Sequence, residues 1–212
     1  MLTVTGLTRR YGQRVAVDNL SFVAKSGEVT GLLGHNGCGK STTLRMLAGA
    51  MNSSGGTYMF NNIPGGVDSL ALKQLTGYIP DIGGVFPRLS GWEHMELCAR
   101  LFKLGKEPQW RNRAEDLLEA LEIADAAPAL AGTYSHGMGR KLSAAIAMLP
   151  GPELILADEP FDGVDGEGVK TITHMLKQRS TEGATVVLST HLLDVAAALC
   201  TTTFTMHKGQ LL

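Results

Sequence analysis

The chain has 212 residues, a formal net charge of −1 and a hydrophobic content of 44%. This length suits one sizeable core, or one core with an inserted subdomain. The near-neutral charge argues against a nucleic-acid binder that relies on a broad basic face. No uninterrupted apolar run reaches the roughly 18 residues of a membrane-spanning helix.

The N-terminus and the cysteines favour a cytoplasmic protein. The first residues, MLTVTGLTRRYG, lack a basic start followed by an apolar core, so no signal peptide is visible. Cys38, Cys98 and Cys200 show neither metal-ligand spacing nor an even disulfide framework. Such cysteine usage fits a reducing compartment.

The first 33 residues contain alternating segments that predict short strands. These segments are LTVTGL, VAVDNLSFVA and EVTGLLG, joined by turns at RYGQR and KSGE. We expect an antiparallel sheet here that leads into the next motif.

A glycine-rich loop, GHNGCGKST, then lies between a predicted strand and the predicted helix KSTTLRMLAG. It comprises Gly34, His35, Asn36, Gly37, Cys38, Gly39, Lys40, Ser41 and Thr42. Glycines let backbone N–H groups point inward, and the helix start adds unpaired N–H groups and a positive dipole end. Lys40 can reach a terminal phosphate, while Ser41 is placed to ligate Mg²⁺. The loop therefore predicts a nucleotide-phosphate site.

The middle of the chain has a helical pattern. Ala114, Leu117, Leu118 and Leu121 share one helical face, and RKLSAAIAML continues as an apolar helix that ends at PGP. These patterns predict a mostly helical insert over residues 82–149.

Two apolar runs after this insert, ELILADEP and ATVVLST, predict central parallel strands joined by the crossover helix GVKTITHMLKQR. Asp158 and Glu159 follow the first strand, at the sheet edge where ligands bind in α/β proteins. Asp158 is expected to hold Mg²⁺, and Glu159 to polarise water for attack on a γ-phosphate.

Two further motifs, YSHGMGRKL at 134–142 and LSTHLLD with His191, complete a specific order. With them the chain resembles the ATP-binding cassette family, the nucleotide-binding subunits of ABC transporters, over essentially its whole length. The resemblance implies a single ABC ATPase domain spanning residues 1–212. It also implies an α/β P-loop NTPase fold, with a RecA-like parallel sheet, an N-terminal antiparallel β portion and the helical insert. ATP, Mg²⁺ and ATP hydrolysis are implied with it.

The resemblance also implies roles for individual residues. Tyr11 matches the aromatic that stacks on adenine, and His191 matches the switch histidine beside the catalytic Glu159. Ser135 and Gly137 belong to the signature loop, which reaches the nucleotide of a second cassette across a head-to-tail dimer. Asp165 matches the acid of the D-loop.

The implied partners are a transmembrane permease and a second cassette chain, identical or different, with no nucleic acid. The protein would then sit peripherally on the cytoplasmic side of the cell membrane. The segment DIGGVFPRLSGWEHMEL is expected to dock the permease; the alternative is a surface loop with no docking role. Met138 with the basic pair Arg140 and Lys141 is similar to signatures of multidrug, antibiotic or lipid exporters.

Three positions stand out against the family pattern. His136 replaces the usual signature glycine, which predicts weakened or pH-sensitive closure of the dimer. Asp81 replaces the usual glutamine or glutamate, so its catalytic and metal-linking role is expected to be altered. Cys38, beside Lys40 and a helix start, is expected either to be thiolate-rich or to be an inert small residue.

Other interpretations of these motifs stay open. Tyr11 could be a turn aromatic and His191 a buried structural histidine. We expect Arg140 and Lys141 to form a solvated helix start rather than to be direct phosphate ligands. The whole chain could be a soluble mechanical ATPase of DNA repair or translation, or a degenerate regulatory cassette that binds ATP without hydrolysing it.

Overall fold

The computed structural model describes residues 1–212 as an α/β protein. The strands are β1 Leu2–Tyr11, β2 Arg14–Ala24, β3 Val29–Leu33, β4 Gly55–Phe60, β5 Ile63–Pro64, β6 Thr76–Ile79, β7 Leu154–Asp158, β8 Thr185–Thr190, β9 Thr202–His207 and β10 Gln210–Leu211. The helices are α1 Lys40–Leu47, α2 Leu70–Leu75, α3 Gly91–Leu101, α4 Gln109–Ala120, α5 His136–Met148, α6 Gly166–Thr181 and α7 Leu193–Leu199. A short 3-10 helix spans Ala131–Thr133.

The strands form two sheets. A four-stranded antiparallel sheet has the order β2-β1-β4-β5, and a six-stranded sheet has the order β10-β9-β3-β8-β7-β6. All neighbours in the larger sheet are parallel except β9 and β10. The predicted fold class, a P-loop NTPase sheet preceded by an antiparallel portion, is confirmed.

One predicted strand joins a different sheet from the one we expected. The segment EVTGLLG supplies β3, which pairs with β8 and β9 in the parallel sheet rather than with β1 or β2. Val29 to Gly31 are all buried, and a strand buried on both faces suits the interior of a parallel sheet. The larger sheet therefore delivers the glycine loop at its carboxyl edge.

Three helices, α3, α4 and α5, lie in the predicted insert and pack on one another. The predicted apolar face of α4 is buried at Ala114, Leu118 and Leu121, while Leu117 is partly exposed. Helix α5 also contacts β6, so it joins the helical region to the parallel sheet. No helix of the protein combines the length and apolar character needed to cross a membrane.

Candidate functional site

The glycine loop is closed tightly against neighbouring backbone. Gly39, at the N-cap of α1, has a φ of 113°, and a Cβ there would lie 2.6 Å from the carbonyl oxygen of Ala16. Gly34 has a φ of 148°, and its Cβ would lie 2.4 Å from the carbonyl oxygen of Met206. Both positions therefore require glycine, because any side chain would meet fixed backbone as well as strain.

Lys40 brings a buried positive charge to this loop. Its Nζ donates to the carbonyl oxygen of Gly34 at 2.7 Å and lies 3.5 Å from Oε1 of Glu159. The side chain is only 5% exposed, so its charge is weakly screened by water. An anion that reaches the loop could take the lysine over from Glu159 and would also meet the N-terminal end of α1.

Asp158, at the end of β7, is completely buried between two serines. Ser41 donates to its Oδ1 at 3.0 Å, and Ser189 donates to the same oxygen at 2.7 Å. The other oxygen, Oδ2, is buried and accepts no hydrogen bond within the protein. Desolvation raises the pKa of Asp158, and the two serine hydrogen bonds partly oppose that rise. A buried carboxylate oxygen without a partner, beside a serine hydroxyl, fits the oxygen ligands that Mg²⁺ takes.

Glu159 lies between a cation and an imidazole. Its Oε2 is 2.9 Å from Nδ1 of His191 and accepts the backbone N–H of His191 at 3.3 Å. Its Oε1 faces Lys40, as described above, and its φ of 46° is unusual for a residue other than glycine. These contacts hold the carboxylate in one orientation at the sheet edge.

Above these residues lies an open cleft of about 410 Å³. The predicted site residues that line it are Tyr11, Asn36, Gly37, Gly39, Lys40, Ser41, Thr42, Asp81, Glu159 and His191. The Tyr11 ring is 45% exposed, and the guanidinium carbon of Arg9 lies 4.7 Å from its centre. The cleft thus joins an aromatic edge, a phosphate loop and three acidic residues, Asp81, Glu159 and Asp162.

Other predicted residues do not line the cleft. Ser135 caps α5 by accepting the Met138 N–H at 3.2 Å, and Asp165 caps α6 by accepting the Gly168 N–H at 2.8 Å. A Cβ at Gly137 would lie 2.5 Å from the carbonyl oxygen of Gly163, so the two loops pack closely. The signature residues therefore form a second group, separate from the cleft.

Two residues of the glycine loop also turn away from the cleft. Cys38 is 1% exposed and belongs to the core, where its Sγ would meet a Cβ placed on Gly34. The inert interpretation of Cys38 fits this position, because the thiol does not face solvent. The His35 ring lies beside His207, with the ring centres 5.5 Å apart.

The solvated helix start expected at Arg140 and Lys141 is wrong. Both side chains are buried and paired with acids of two different loops. Arg140 is 3.0 Å from Oδ1 of Asp81, and Lys141 is 2.8 Å from Oδ2 of Asp165. The hydrogen bond from Lys141 lowers the pKa of Asp165.

His136 is exposed at the start of α5. Its Nε2 lies 3.3 Å from Oδ2 of Asp162, and Asp162 itself lines the cleft. From the sequence we did not identify Asp162 and Arg14, which line the cleft, or the hydrogen bond that Ser189 donates to Asp158. A hydroxyl at the end of VVLST, the strand before His191, is the signal that could have indicated Ser189.

Comparison with known proteins agrees with this geometry. Residues 17–162 match the family described as "ABC transporter". The chain is 36% identical over 213 residues to "ATP-binding cassette sub-family A member 2" of Homo sapiens, covering 99% of this chain and 9% of that protein. It is 34% identical over 202 residues to "Nod factor export ATP-binding protein I" of Ralstonia nicotianae, covering 94% of this chain and 62% of that protein. The chain thus spans less than two thirds of either relative.

A solved structure described as an ATP binding subunit of an ABC transporter superimposes with a TM-score of 0.92 at 28% identity. The superposition covers 100% of this chain and 88% of the solved one. The agreement therefore extends across both sheets and the helical region.

Proposed function

The chain belongs to the ABC transporter family, and we propose that it binds and hydrolyses ATP to power transport by membrane-spanning partner subunits. One observation carries the proposal: the phosphate loop, the Ser41–Asp158 pair and the Glu159–His191 pair converge at one cleft. The loop would bind the phosphates, the Ser41–Asp158 pair would hold the metal ion, and the Glu159–His191 pair would activate water.

In this proposal Lys40 and the loop N–H groups bind the phosphates, while Tyr11 packs against the adenine ring. Glu159 orients a water molecule at the terminal phosphate and accepts its proton. His191 holds Oε2 of Glu159 and so fixes the direction of the carboxylate. The proton is thus received by a side chain whose position is set before the substrate arrives.

Ser41 and Asp158 would hold Mg²⁺, which when bound supplies positive charge that stabilises the phosphate oxygens. The unpartnered Oδ2 of Asp158 supports this assignment. Asp81 lines the same cleft but is paired with Arg140, so we assign it a linking role at the site rather than a ligand position.

A second cassette is required in this proposal, because Ser135, Gly137 and Asp165 lie outside the chain's own cleft. These residues would complete the site of a partner cassette, which we treat as identical or closely related. The helical region over residues 82–149 would act as a unit that carries the signature loop.

The permease would dock near α3, where Ile82 and Phe86 are 78% and 61% exposed. Such side chains are costly to leave in water and suit contact with another protein. Docking there would hold the protein peripherally at the cytoplasmic face of the membrane. The similarity to a Nod factor export protein supports export as the direction, and it does not favour the soluble mechanical ATPase.

The first test is ATP hydrolysis by the purified chain and by Glu159→Gln. We expect the substitution to lower kcat by at least ~100-fold while ATP still binds. Glu119→Gln, an exposed position on α4 without a charged partner, is the matched control and should leave kcat unchanged. Hydrolysis that persists in Glu159→Gln would contradict the proposal.

The second test addresses the membrane partner. A tagged chain is used to capture proteins from detergent-solubilised membranes of its source. We expect a multi-span membrane protein and raised ATPase activity in the eluate. Recovery of soluble proteins only, with Glu159-dependent activity intact, would instead indicate a soluble ATPase.

A further inference from the structure

The Arg140–Asp81 ion pair crosses the boundary between the helical region and the parallel sheet. Arg140 lies in the second turn of α5, four residues beyond His136, where the helix begins. Its side chain is 4% exposed, donates to the carbonyl oxygen of Pro80, and reaches Oδ1 of Asp81 at 3.0 Å. A buried guanidinium left without its acidic partner is strongly unfavourable. The pair is therefore a firm connection between α5 and the loop after β6.

Asp81 has a second side that faces the nucleotide cleft. It lines the cleft together with Ser41 and Glu159, and its side chain is 32% exposed. It also follows β6, the strand that pairs with β7 and hence with the end that carries Asp158. A displacement of the Asp81 carboxylate toward the cleft would therefore pull on Arg140 or break its contact.

Helix α5 carries Ser135 at its N-cap and His136 at its first position. A rigid helix transmits a displacement at Arg140 to its own start, one turn away. The next residue of the same helix, Lys141, pairs with Asp165 in a different loop. Of the two acidic partners, Asp81 lines the cleft and Asp165 does not.

We propose that Arg140 is a positioning residue that acts through Asp81. It links occupation of the chain's own nucleotide cleft to the placement of the Ser135–Gly137 loop, which serves the second nucleotide. This inference rests on the proposed function, since it assumes that nucleotide binds in the cleft. A purely structural ion pair would stabilise the fold without carrying such a signal.

The decisive experiment measures hydrogen exchange with and without Mg·ATP, at a concentration where size-exclusion chromatography shows a monomer. The variants are Arg140→Gln and, as control, Arg100→Gln. Arg100 pairs with Glu96 in the same helical region but is 76% exposed. In the unmodified chain we expect nucleotide to alter exchange both in the phosphate loop and at residues 135–139.

In Arg140→Gln the phosphate loop should still become protected, but residues 135–139 should no longer respond. The control should behave like the unmodified chain. A response at 135–139 that survives in Arg140→Gln would overturn the inference. Absence of any protection of the phosphate loop in the unmodified chain would instead overturn the proposed function, together with the inference that rests on it.

Kinetics give a second measure. Arg140→Gln and Asp81→Asn should each lower kcat by roughly 10-fold with little change in KM, and the double variant should be no worse than either single variant. Non-additivity of this kind marks two residues that act as one unit. If the two losses multiplied, kcat of the double variant would fall roughly 100-fold. That result would show independent roles and contradict the inference.

Discussion

Two groups of residues differ in how far the fold of this chain encloses them. The phosphate-binding group is the glycine loop, residues 34–42, with Asp158 and Glu159, and the signature group is residues 135–137 with Asp165. In the phosphate-binding group, Lys40 is 5% exposed and Asp158 is completely buried, and each makes its contacts within the chain. In the signature group, the side chains of His136 and Asp165 are 63% and 61% exposed. The side chains of the first group are therefore enclosed when the chain folds, whereas the second group presents polar side chains to solvent, as its proposed role in the site of a second cassette requires.

The largest effect should come from breaking the phosphate-binding group at Gly39. Gly39→Ala adds a methyl group 2.6 Å from the Ala16 carbonyl oxygen and forces alanine to a φ of 113°. We expect the free energy of unfolding to fall by about 3 kcal/mol and ATP binding to be lost. Chemical denaturation and nucleotide titration measure the two effects.

Gly37→Ala is the matched control, because its φ is 79° but nothing lies within 4 Å of a Cβ there. It should lose only about 1 kcal/mol, the usual size of backbone strain alone. Equal losses in the two variants would show that contact with Ala16 does not matter.

A moderate effect is expected in the signature group. His136→Gly removes a side chain beside the backbone N–H groups that are to meet the partner's phosphate, so kcat should rise roughly threefold. ATP binding to the single chain should not change, because His136 lies outside the cleft. ATPase assays across pH measure this.

Asp162→Asn is the companion variant, since it keeps His136 and removes the carboxylate 3.3 Å from its Nε2. It should not reproduce the rise in kcat. An unchanged kcat and an unchanged pH profile in His136→Gly would count against any role for the imidazole.

The smallest effect concerns Asp158 and separates stability from activity. Desolvation raises the pKa of Asp158 above its unfolded value, so the charged form costs stability at neutral pH. Asp158→Asn should stabilise the nucleotide-free protein by about 1 kcal/mol, or roughly 2–4 °C in Tm, while lowering hydrolysis. The gain should be present above the folded pKa and vanish below the unfolded pKa. Thermal unfolding without Mg²⁺ tests this, and a lower Tm at pH 7 would contradict it.

The sequence predicted what depends on neighbouring residues. The glycine loop lies within nine residues, and its glycines, lysine and serine follow from the strand and helix on either side. The apolar face of α4 follows from its helical period, and the buried strands β7 and β8 follow from continuous apolar runs. A local pattern was sufficient because each of these elements can be recognised from residues that are close together in the sequence.

What depends on distant pairing could not be predicted. Arg140 and Lys141 look like surface residues until Asp81 and Asp165 are known to lie beside them, and Asp81 is 59 residues away. The hydrogen bond from Ser189 to Asp158 could be predicted only if β7 and β8 were known to be neighbours. The burial of Cys38 depends on which way one loop residue turns. Tertiary contacts decide all three.

The short distance between Lys40 and Glu159 carries one more consequence. While no phosphate is present, Nζ of Lys40 lies 3.5 Å from Oε1 of Glu159 and occupies that side of the carboxylate. A phosphate that takes over the lysine would release Glu159 at the moment when a substrate is in reach. Lys40, which would bind the phosphates of ATP, would thus also keep Glu159 engaged until ATP is bound.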